Sequence, residues 1–220
     1  MKIGVLGTGV VGSTLAGKLA GLGHEVKMGA RESGNAKAKA WASGAGKNAS
    51  SGDFAEAAAF GEIVFSCTLG EKAVEALRAA KSENLKGKVV VDVSNPLDFS
   101  RGMPPRVLTG ANGESLGEQI QEAIPEARVV KALNTVNAGV MVDPKRVGGE
   151  SDLFVCGNDA DAKSRVTALL KEMGWMASRV HDLGPIVAAR GTEAYLLFWI
   201  TLMGAFKTAD FNVRIVRPSS

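Results

Sequence analysis

The chain has 220 residues, of which 45% are hydrophobic, and its formal net charge is +3 at pH 7. This length suits one packed domain with a small appendage. Lysine and arginine are scattered among acidic residues, with no basic run interleaved with aromatics, so a nucleic-acid partner is not expected.

The cysteines and the chain start indicate the compartment. Cys67 and Cys156 both lie in apolar strand-like segments and are predicted to be buried thiols in a reducing environment. No cysteine or histidine spacing suits a metal, so no structural metal is predicted. The first predicted strand begins at residue 2, so we expect no signal peptide. The most apolar stretch, 194–206, is shorter than the roughly 20 residues of a membrane span. We therefore predict a cytoplasmic protein with no membrane partner.

The chain opens with a glycine-rich turn between a strand and a helix. The predicted strand 2–6 leads directly into Gly7-Thr8-Gly9-Val10-Val11-Gly12. In such G-x-G-x-x-G turns the first glycine permits a tight turn, the second admits a pyrophosphate, and the third allows close packing of the helix. The following helix, 10–22, would direct its positive end at the phosphates. We predict that these six residues bind a dinucleotide; the alternative is a turn that binds nothing.

The end of the second predicted strand, 25–30, points to the type of coenzyme. Sites for NAD place an acidic residue there, but this chain has Ala30, Arg31 and then Glu32 and Ser33. The guanidinium of Arg31 and the hydroxyl of Ser33 could bind a 2′-phosphate, which favours NADP(H). Two alternatives stay open: Glu32 could reach a ribose in a shifted loop, or Arg31 could be a solvated charge.

Strand-like and helix-like segments alternate along the rest of the chain. Further strands are predicted at 47–50 (weakly), 62–68, 88–93, 128–133, 151–156 and 175–180. Helices are predicted at 35–43, 54–60, 72–80, 116–124 and 160–173. This alternation, with nearly continuous apolar strands, predicts an α/β fold of the Rossmann type, with a doubly wound and mainly parallel sheet. The predicted dinucleotide-binding domain covers 1–184.

Two segments interrupt the alternation. Residues 95–114 are rich in proline, glycine and arginine and follow a strand end, so we interpret them as a mobile flap over the site, or otherwise as a surface loop. Residues 185–220 contain the apolar run 194–206, which as a helix would present apolar side chains on nearly all sides. Such a helix must be buried, so we predict a small C-terminal helical segment that packs on the site or on a second subunit. A homodimer is the expectation.

Residues just past the other strand ends are candidates for further contacts with the coenzyme. Ligands of doubly wound sheets bind at this edge. Hydrogen bonds are expected from Thr68 and Asn95, and packing against a ring from Leu69 and Pro96. The predicted coenzyme-binding residues at these ends are Cys67, Thr68, Leu69, Asn95, Pro96 and Asn134. Taken singly, each is equally compatible with ordinary turn formation.

No residue stands out as a proton donor, so no catalytic residue is assigned. The only tyrosine, Tyr195, lacks the following lysine of the Tyr-x-x-x-Lys pair. His24 and His181 lie in turns and are predicted to be structural, while Lys131 lies within a strand. A hydride that passes between nicotinamide and a second redox ring needs alignment more than acid–base help. A carbonyl reductase would need a proton donor.

Four motifs in order carry a family resemblance: the glycine turn, Ser94-Asn95-Pro96-Leu97, the block 131–138 that begins Lys-Ala-Leu-Asn-Thr, and Asp182-Leu183-Gly184-Pro185. Together they resemble the coenzyme F420-dependent NADP oxidoreductase family, to which the cytoplasmic reductase domain of the STEAP metalloreductases is related. The resemblance covers essentially the whole chain. One departure is Asn134, where the archaeal F420 enzymes carry histidine and the metalloreductase-like branch carries asparagine.

The resemblance implies NADP(H) on the glycine turn and a flavin or deazaflavin over the nicotinamide, near 134–137 and the C-terminal helix. It assigns Thr8, Gly9, Val10 and Val11 to the phosphates and Thr68 and Leu69 to the nicotinamide side. Arg31 and Ser33 match its 2′-phosphate contacts. The expected function is hydride transfer between NADP(H) and F420, FMN or FAD, as the second substrate. Alternatives are an imine or small-carbonyl reductase and a non-catalytic NADP(H)-sensing module.

Overall fold

The computed structural model describes residues 1–110 and 112–218, which form an eight-stranded sheet, a short hairpin and flanking helices. The sheet strands are β1 (Lys2–Leu6), β2 (Glu25–Ala30), β3 (Ala49–Asp53), β4 (Ile63–Ser66), β5 (Val89–Asp92), β8 (Arg128–Ala132), β9 (Leu153–Gly157) and β10 (Val180–Asp182). The hairpin pairs β6 (Leu97–Asp98) with β7 (Arg106–Val107).

Nine α-helices lie in the described part of the chain. They are α1 (Val10–Gly21), α2 (Ala36–Gly44), α3 (Phe54–Phe60), α4 (Gly70–Ala79), α5 (Ser82–Leu85), α6 (Leu116–Ala123), α7 (Ala138–Val142), α8 (Ala160–Met173) and α9 (Ala189–Phe206). Short 3₁₀ turns at Pro144–Val147, Ala177–Arg179 and Ile186–Ala188 complete the regular structure.

The strands follow the order β10-β9-β8-β5-β4-β1-β2-β3. The chain winds outward from β1 in both directions, which creates a switch point between β1 and β4 where ligands of such sheets bind. Neighbouring strands are parallel except for β8 and β9, which pair antiparallel. The predicted doubly wound, mainly parallel Rossmann-type fold is therefore confirmed.

Two apolar cores cover the faces of the sheet because its strands carry apolar side chains on both sides. One core includes Leu15 and Leu19 of α1 and Val166 of α8. The opposite core includes Leu77 of α4 and Ile120 of α6. Burial on both faces leaves the ends of the strands as the places where a cleft can form.

One predicted strand differs from the structure, and two short helices were not predicted. The expected strand 175–180 is wrong for most of its length, because Trp175 follows the C-cap of α8 and buries its ring, with its indole Nε1 donating to the Met141 carbonyl at 3.0 Å. Pairing begins only at Val180, where β10 meets β9. The helices α5 and α7 were absent from the prediction, since runs of four or five residues carry little periodicity.

The segment 95–114 is partly ordered by the β6–β7 hairpin, and its residue 111 lies outside the described residues. Its proposed mobility stays a prediction. The division of the chain at residue 184 stays a prediction as well, and residues 219 and 220 of the predicted C-terminal segment lie outside the described residues.

The C-terminal helix is longer than the apolar run suggested. By length and composition alone, the segment Ile186–Phe206 could cross a membrane. Only 33% of its most apolar part is buried inside the protein. The stretch 194–206 is thus part of a longer apolar helix, and the absence of a membrane partner stays a prediction. However, α9 packs on α6 and carries Glu193, which is 2% exposed and bonded to the sheet, as described below. Beyond α9 an extended tail returns along β9, with Asp152 N donating to the Val213 carbonyl at 2.9 Å.

Candidate active site

A cleft of about 610 Å³ opens at the carboxyl edge of the sheet, beside the switch point between β1 and β4. Its walls come from the turns after β1, β2, β4, β5 and β8 and from α9. Eleven of the fourteen residues predicted from sequence line it, namely Gly7, Thr8, Gly9, Val10, Val11, Arg31, Cys67, Thr68, Leu69, Asn95 and Asn134. Residues from five separate turns thus meet in one cavity.

The three glycines of the first turn have different surroundings. Gly7 has φ +129°, a conformation that side chains disfavour, and an added Cβ would lie 2.6 Å from the Cys67 carbonyl oxygen. A Cβ on Gly12 would lie 2.2 Å from the Gly7 carbonyl oxygen, so Gly12 serves the packing of α1 and does not line the cleft. A Cβ on Gly9 would meet no protein atom within 4 Å. Gly9 therefore leaves space that faces the cleft.

Two helices begin at the cleft without a side-chain cap, α1 and α4. The N-cap of α1 is Gly9, which offers no side-chain hydrogen bond, and the first turn of α1 contains no acidic residue. The N-cap of α4 is Leu69, also without a side-chain bond. By contrast, α3 and α6 begin with complete capping boxes. Free amides and a positive helix end make the start of α1 a site for an anion such as a phosphate.

The 31–35 turn lies at the other end of the glycine loop. Arg31 lines the cleft together with Asn35, the N-cap of α2, whose Oδ1 accepts hydrogen bonds from Lys37 N and Ala38 N. Ser33 is not among the lining residues, and its hydroxyl lies 3.5 Å from the Glu56 Oε2 atom. Arg31 is thus better placed than Ser33 to contact a phosphate at this end.

The floor of the cleft is an asparagine pair. Asn134 Nδ2 donates to Asn95 Oδ1 at 3.0 Å, and Asn95 Nδ2 donates to the Asn134 carbonyl at 2.8 Å. Leu133, just before, adopts the left-handed conformation at φ 63°, which is unusual for leucine and turns the chain toward the cleft. The side-chain oxygens of Asn134 and Thr68 are buried without hydrogen-bond partners. Because buried polar atoms are normally paired, these two fit a polar ligand at this floor.

Pro96 supports this floor without lining it. It is buried, and its Cα would lie 3.0 Å from a Cβ added to Gly70. The same added Cβ would lie 2.0 Å from the Asn95 carbonyl oxygen. The start of α4 therefore packs directly on the Asn95–Pro96 turn and fixes its position.

The sequence did not predict which residues form the opposite wall of the cleft. Leu196 and Trp199 of α9 line it, with Val136, Asn137 and Met141 from the turn and helix after β8. The Trp199 ring stacks on Phe211 of the tail, with ring centres 5.2 Å apart. Two sequence signals pointed to it. The apolar run predicted a helix on the site or on another subunit, and the family resemblance implied a second ring near 134–137 and the C-terminal helix, but neither chose the inner face of that helix.

Asn137 joins this wall to the tail. Its Oδ1 caps α7 by accepting from Gly139 N at 2.7 Å, and its Nδ2 donates to the Ala209 carbonyl and to Asp210. Asp210 in turn pairs with Arg146 at 2.7 Å. This contact spans more than seventy residues of chain, so no local pattern could predict it.

A buried charge cluster lies beneath the cleft. Lys131, whose direction the sequence left open, places its Nζ 2.8 Å from Asp92 and 2.7 Å from Glu193. Burial alone would lower the pKa of Lys131, but the two carboxylates outweigh it and hold the pKa above its ordinary value. Lys131 is therefore a buried cation.

The titratable groups that line the cleft, besides Arg31 and Cys67, are Lys72 and Glu75, which pair with each other at 3.3 Å in α4. Neither histidine lines the cleft: His24 lies 3.1 Å from Glu172 and His181 lies 2.9 Å from Asp152, in accord with the predicted structural roles. Both cysteines are free and buried, as predicted. Burial raises the pKa of Cys67 far above its ordinary value, and it raises the pKa of Cys156 to about 12. Within the described residues no group of three or more metal ligands occurs.

Comparisons with known proteins identify a family. Residues 2–96 match the family model described as NADP oxidoreductase, coenzyme F420-dependent. The F420-dependent NADP reductase of Methanocaldococcus jannaschii is 32% identical over 73% of this chain and 70% of its own length. A structure from Arthrobacter sp. FB24, provisionally named an F420-dependent NADP-reductase, is 51% identical, with a TM-score of 0.91 over 99% of this chain and 100% of that one.

A third relative is larger. Rat metalloreductase STEAP3 is 30% identical over 88% of this chain, but the chain spans only 36% of that protein. The similarity is therefore to one part of the metalloreductase.

Proposed function

Since the chain belongs to the family of coenzyme F420-dependent NADP oxidoreductases, we propose that it transfers a hydride between NADP(H) and a deazaflavin or flavin coenzyme. The observation that carries the proposal is the composition of the cleft. One half is made of main-chain amides and a guanidinium, and the other half is made of apolar and aromatic side chains on α9.

The first half suits NADP(H). The uncapped start of α1 and the open space at Gly9 would hold the pyrophosphate, and Arg31 would pair with the 2′-phosphate. The nicotinamide amide would find partners in the unpaired oxygens of Thr68 and Asn134. Gly12 and Pro96 act through packing, and Ser33 would contribute less than Arg31 because Glu56 already lies beside its hydroxyl.

The second half suits a flat redox ring. Trp199 has one face against Phe211 and lines the cleft beside Leu196. Aromatic rings pack well on such a surface, and the adjacent nicotinamide supplies the hydride. No histidine or tyrosine lies among the described lining residues. The acid–base pair Lys72 and Glu75 also lines the cleft, but both side chains are more than half exposed and pair with each other. This set of groups favours transfer between two rings over reduction of a carbonyl, which needs a buried and well-placed proton donor.

The proposal is tested by mixing the protein, NADPH and either F420 or FMN and following absorbance at 340 nm. Loss of NADPH that depends on F420 or FMN is expected. Turnover with a cyclic imine but with neither coenzyme would support the imine reductase instead. Tight NADPH binding with no turnover on any acceptor would support the sensing module. Either result would overturn the proposed function.

We further propose that the protein works as a cytoplasmic homodimer. The outer face of α9 exposes Leu197 at 44% and Phe198 at 56%, a surface that a second copy could cover. Sedimentation should show a dimer, and Phe198→Glu should shift it toward monomer. Wild-type protein that sediments only as a monomer would contradict this.

A further inference from the structure

Three charged side chains meet in the interior beneath the cleft. The Lys131 ammonium on β8 lies between the Asp92 carboxylate on β5 and the Glu193 carboxylate on α9. Their side chains are 0%, 0% and 3% exposed, respectively. We refer to Asp92, Lys131 and Glu193 as the buried triad. It joins two strands of the sheet to the C-terminal helix.

The sheet side of the triad holds the floor of the cleft. Lys131 Nζ donates to the Ser94 carbonyl at 2.8 Å, and Asp92 Oδ1 accepts from Ser94 N at 3.0 Å and from Ser94 Oγ at 2.6 Å. Ser94 is followed by Asn95, whose carboxamide is paired with Asn134. The triad therefore fixes the turn that carries the asparagine pair.

The helix side of the triad places α9. Glu193 accepts hydrogen bonds from Leu116 N at 2.8 Å and Gly117 N at 3.0 Å, the first amides of α6. These two bonds and the positive helix end offset the second carboxylate of the triad. From Glu193, Leu196 and Trp199 follow at intervals of three residues on the same helix, and both line the cleft. The position of Glu193 thus sets the position of the second wall.

Stability alone does not explain the triad. Buried ion pairs cost desolvation free energy, and well-packed apolar residues at such positions often stabilise a protein as much or more. What buried charges add is geometry, because each carboxylate here accepts from fixed donors on two or more elements. A hydrophobic contact could slide, whereas these bonds allow one arrangement of α9 against the floor.

We propose that Lys131 and Glu193 are positioning residues of the active site, which hold the α9 wall and the Asn95–Asn134 floor at one fixed separation. Hydride transfer is sensitive to the distance and alignment of the two rings. This inference rests on the proposed function, because the separation matters only if two rings bind on these two surfaces.

The first test compares Glu193→Gln with Arg190→Gln. Arg190 also joins α9 to α6, through two bonds of 2.8 Å to Glu118, but it is half exposed and does not touch the triad. Glu193→Gln should lower kcat with F420 or FMN by about tenfold or more and leave the NADPH Kd within about twofold, because the phosphate-binding amides are unchanged. Arg190→Gln should leave both values within about twofold.

A merely structural role would give a different result. It would make the two variants lose activity in proportion to their loss of stability, as measured by the shift in Tm. Equal losses of kcat at equal Tm shifts, or a Glu193→Gln variant with unchanged kcat, would overturn the inference.

The second test does not depend on turnover. In wild-type protein NADP⁺ should slow hydrogen exchange both at residues 7–12 and in α9, because the triad links the floor to the helix. In Glu193→Gln the slowing should persist at 7–12 and be lost in α9. Slowing in α9 that survives in Glu193→Gln would overturn the inference, even if the wild type transferred no hydride to F420 or FMN.

A second variant guards against misfolding of the first. Asp92→Asn keeps an oxygen for the Ser94 amide and removes one charge from Lys131. It should also reduce kcat and uncouple α9 from NADP⁺ in hydrogen exchange. Normal kcat and normal coupling in Asp92→Asn would contradict the positioning role.

Discussion

The two walls of the cleft are built by different means. The β1–α1–β2 wall uses glycines and main-chain amides close together in sequence, with an uncapped helix end aimed into the cleft. The α9 wall uses the side chains Leu196 and Trp199, held from behind by a tail and a buried triad. The first wall is a local structure that a short segment can specify. The second exists only when distant parts of the chain come together.

This contrast teaches which variants should affect binding and which should affect turnover. Changes in the glycine turn should alter coenzyme affinity, because in the proposed function that wall would bind phosphates through its backbone. Changes in α9 should alter the reaction with the acceptor and leave coenzyme affinity nearly unchanged.

The largest effect is expected from Gly9→Val. A Cβ at Gly9 meets no protein atom within 4 Å, and the backbone there is already extended, so the fold should tolerate valine. The side chain would occupy the phosphate space, and the NADPH Kd should rise by about 100-fold or more in calorimetry, equivalent to about 2.8 kcal/mol. Gly12→Ala is the control for a change that acts through packing. Its Cβ would lie 2.2 Å from the Gly7 carbonyl oxygen, so this variant should lower Tm. Unchanged affinity in folded Gly9→Val would remove the phosphate assignment.

Arg31→Ala should have the next largest effect. Loss of charge-assisted bonds to a 2′-phosphate should weaken NADPH by about 10- to 100-fold, or about 1.5–3 kcal/mol. NADH affinity should stay nearly constant because NADH lacks that phosphate. Ser33→Ala, the matched control on the same turn, should change NADPH affinity much less. Equal losses for NADPH and NADH would disprove the role of Arg31.

Trp199→Ala tests the second wall. Removing the stacking surface should raise the KM for F420 or FMN by about tenfold, given the burial and stacking contributions of an aromatic side chain. The NADPH Kd should stay within about twofold. Phe198→Ala, on the exposed face of the same helix, should leave the KM of the acceptor unchanged. A larger effect of Trp199→Ala on NADPH binding than on the acceptor would break the separation between the walls.

The smallest effect is expected at the surface ion pair between α6 and α9. The Arg190 guanidinium is the main cause that lowers the pKa of Glu118 from 4.5 to about 2. The resulting stabilisation is complete at pH values above 4.5 and is lost as the pH falls toward 2. Wild type should therefore exceed Arg190→Gln in Tm by about 1–2 °C at pH 7, and the difference should shrink below pH 4. A difference that stays constant down to pH 2 would contradict this account.

Much of the first wall could be predicted from sequence because its determinants are local. Gly7, Gly9 and Gly12 have the fixed spacing of the motif. Gly7 adopts a positive φ, Gly9 leaves open space, and Gly12 allows α1 to approach closely. The alternation of apolar strands and helices likewise predicted the sheet, including the weak strand now seen as β3. The family resemblance drawn from the four motifs is confirmed by the comparisons.

The second wall depended on contacts that the sequence does not display. The apolar run predicted a helix at 194–206. Nothing in the sequence predicted that Glu193 is buried and pairs with Lys131, sixty-two positions earlier. Asn137 likewise gave only a turn in sequence, although it caps α7 and binds the tail.

By itself, then, the sequence determined the Rossmann-type fold, the glycine turn after β1 and the place of Arg31 at the end of β2, because these follow from periodicity and from residues within a few positions of one another. Only the tertiary structure decided which face of α9 meets the cleft and which charges hold it there. Folding brings Asp92, Lys131 and Glu193 together from distant parts of the chain. Because a buried charge without a partner costs much free energy, each of these charges lies beside an opposite one.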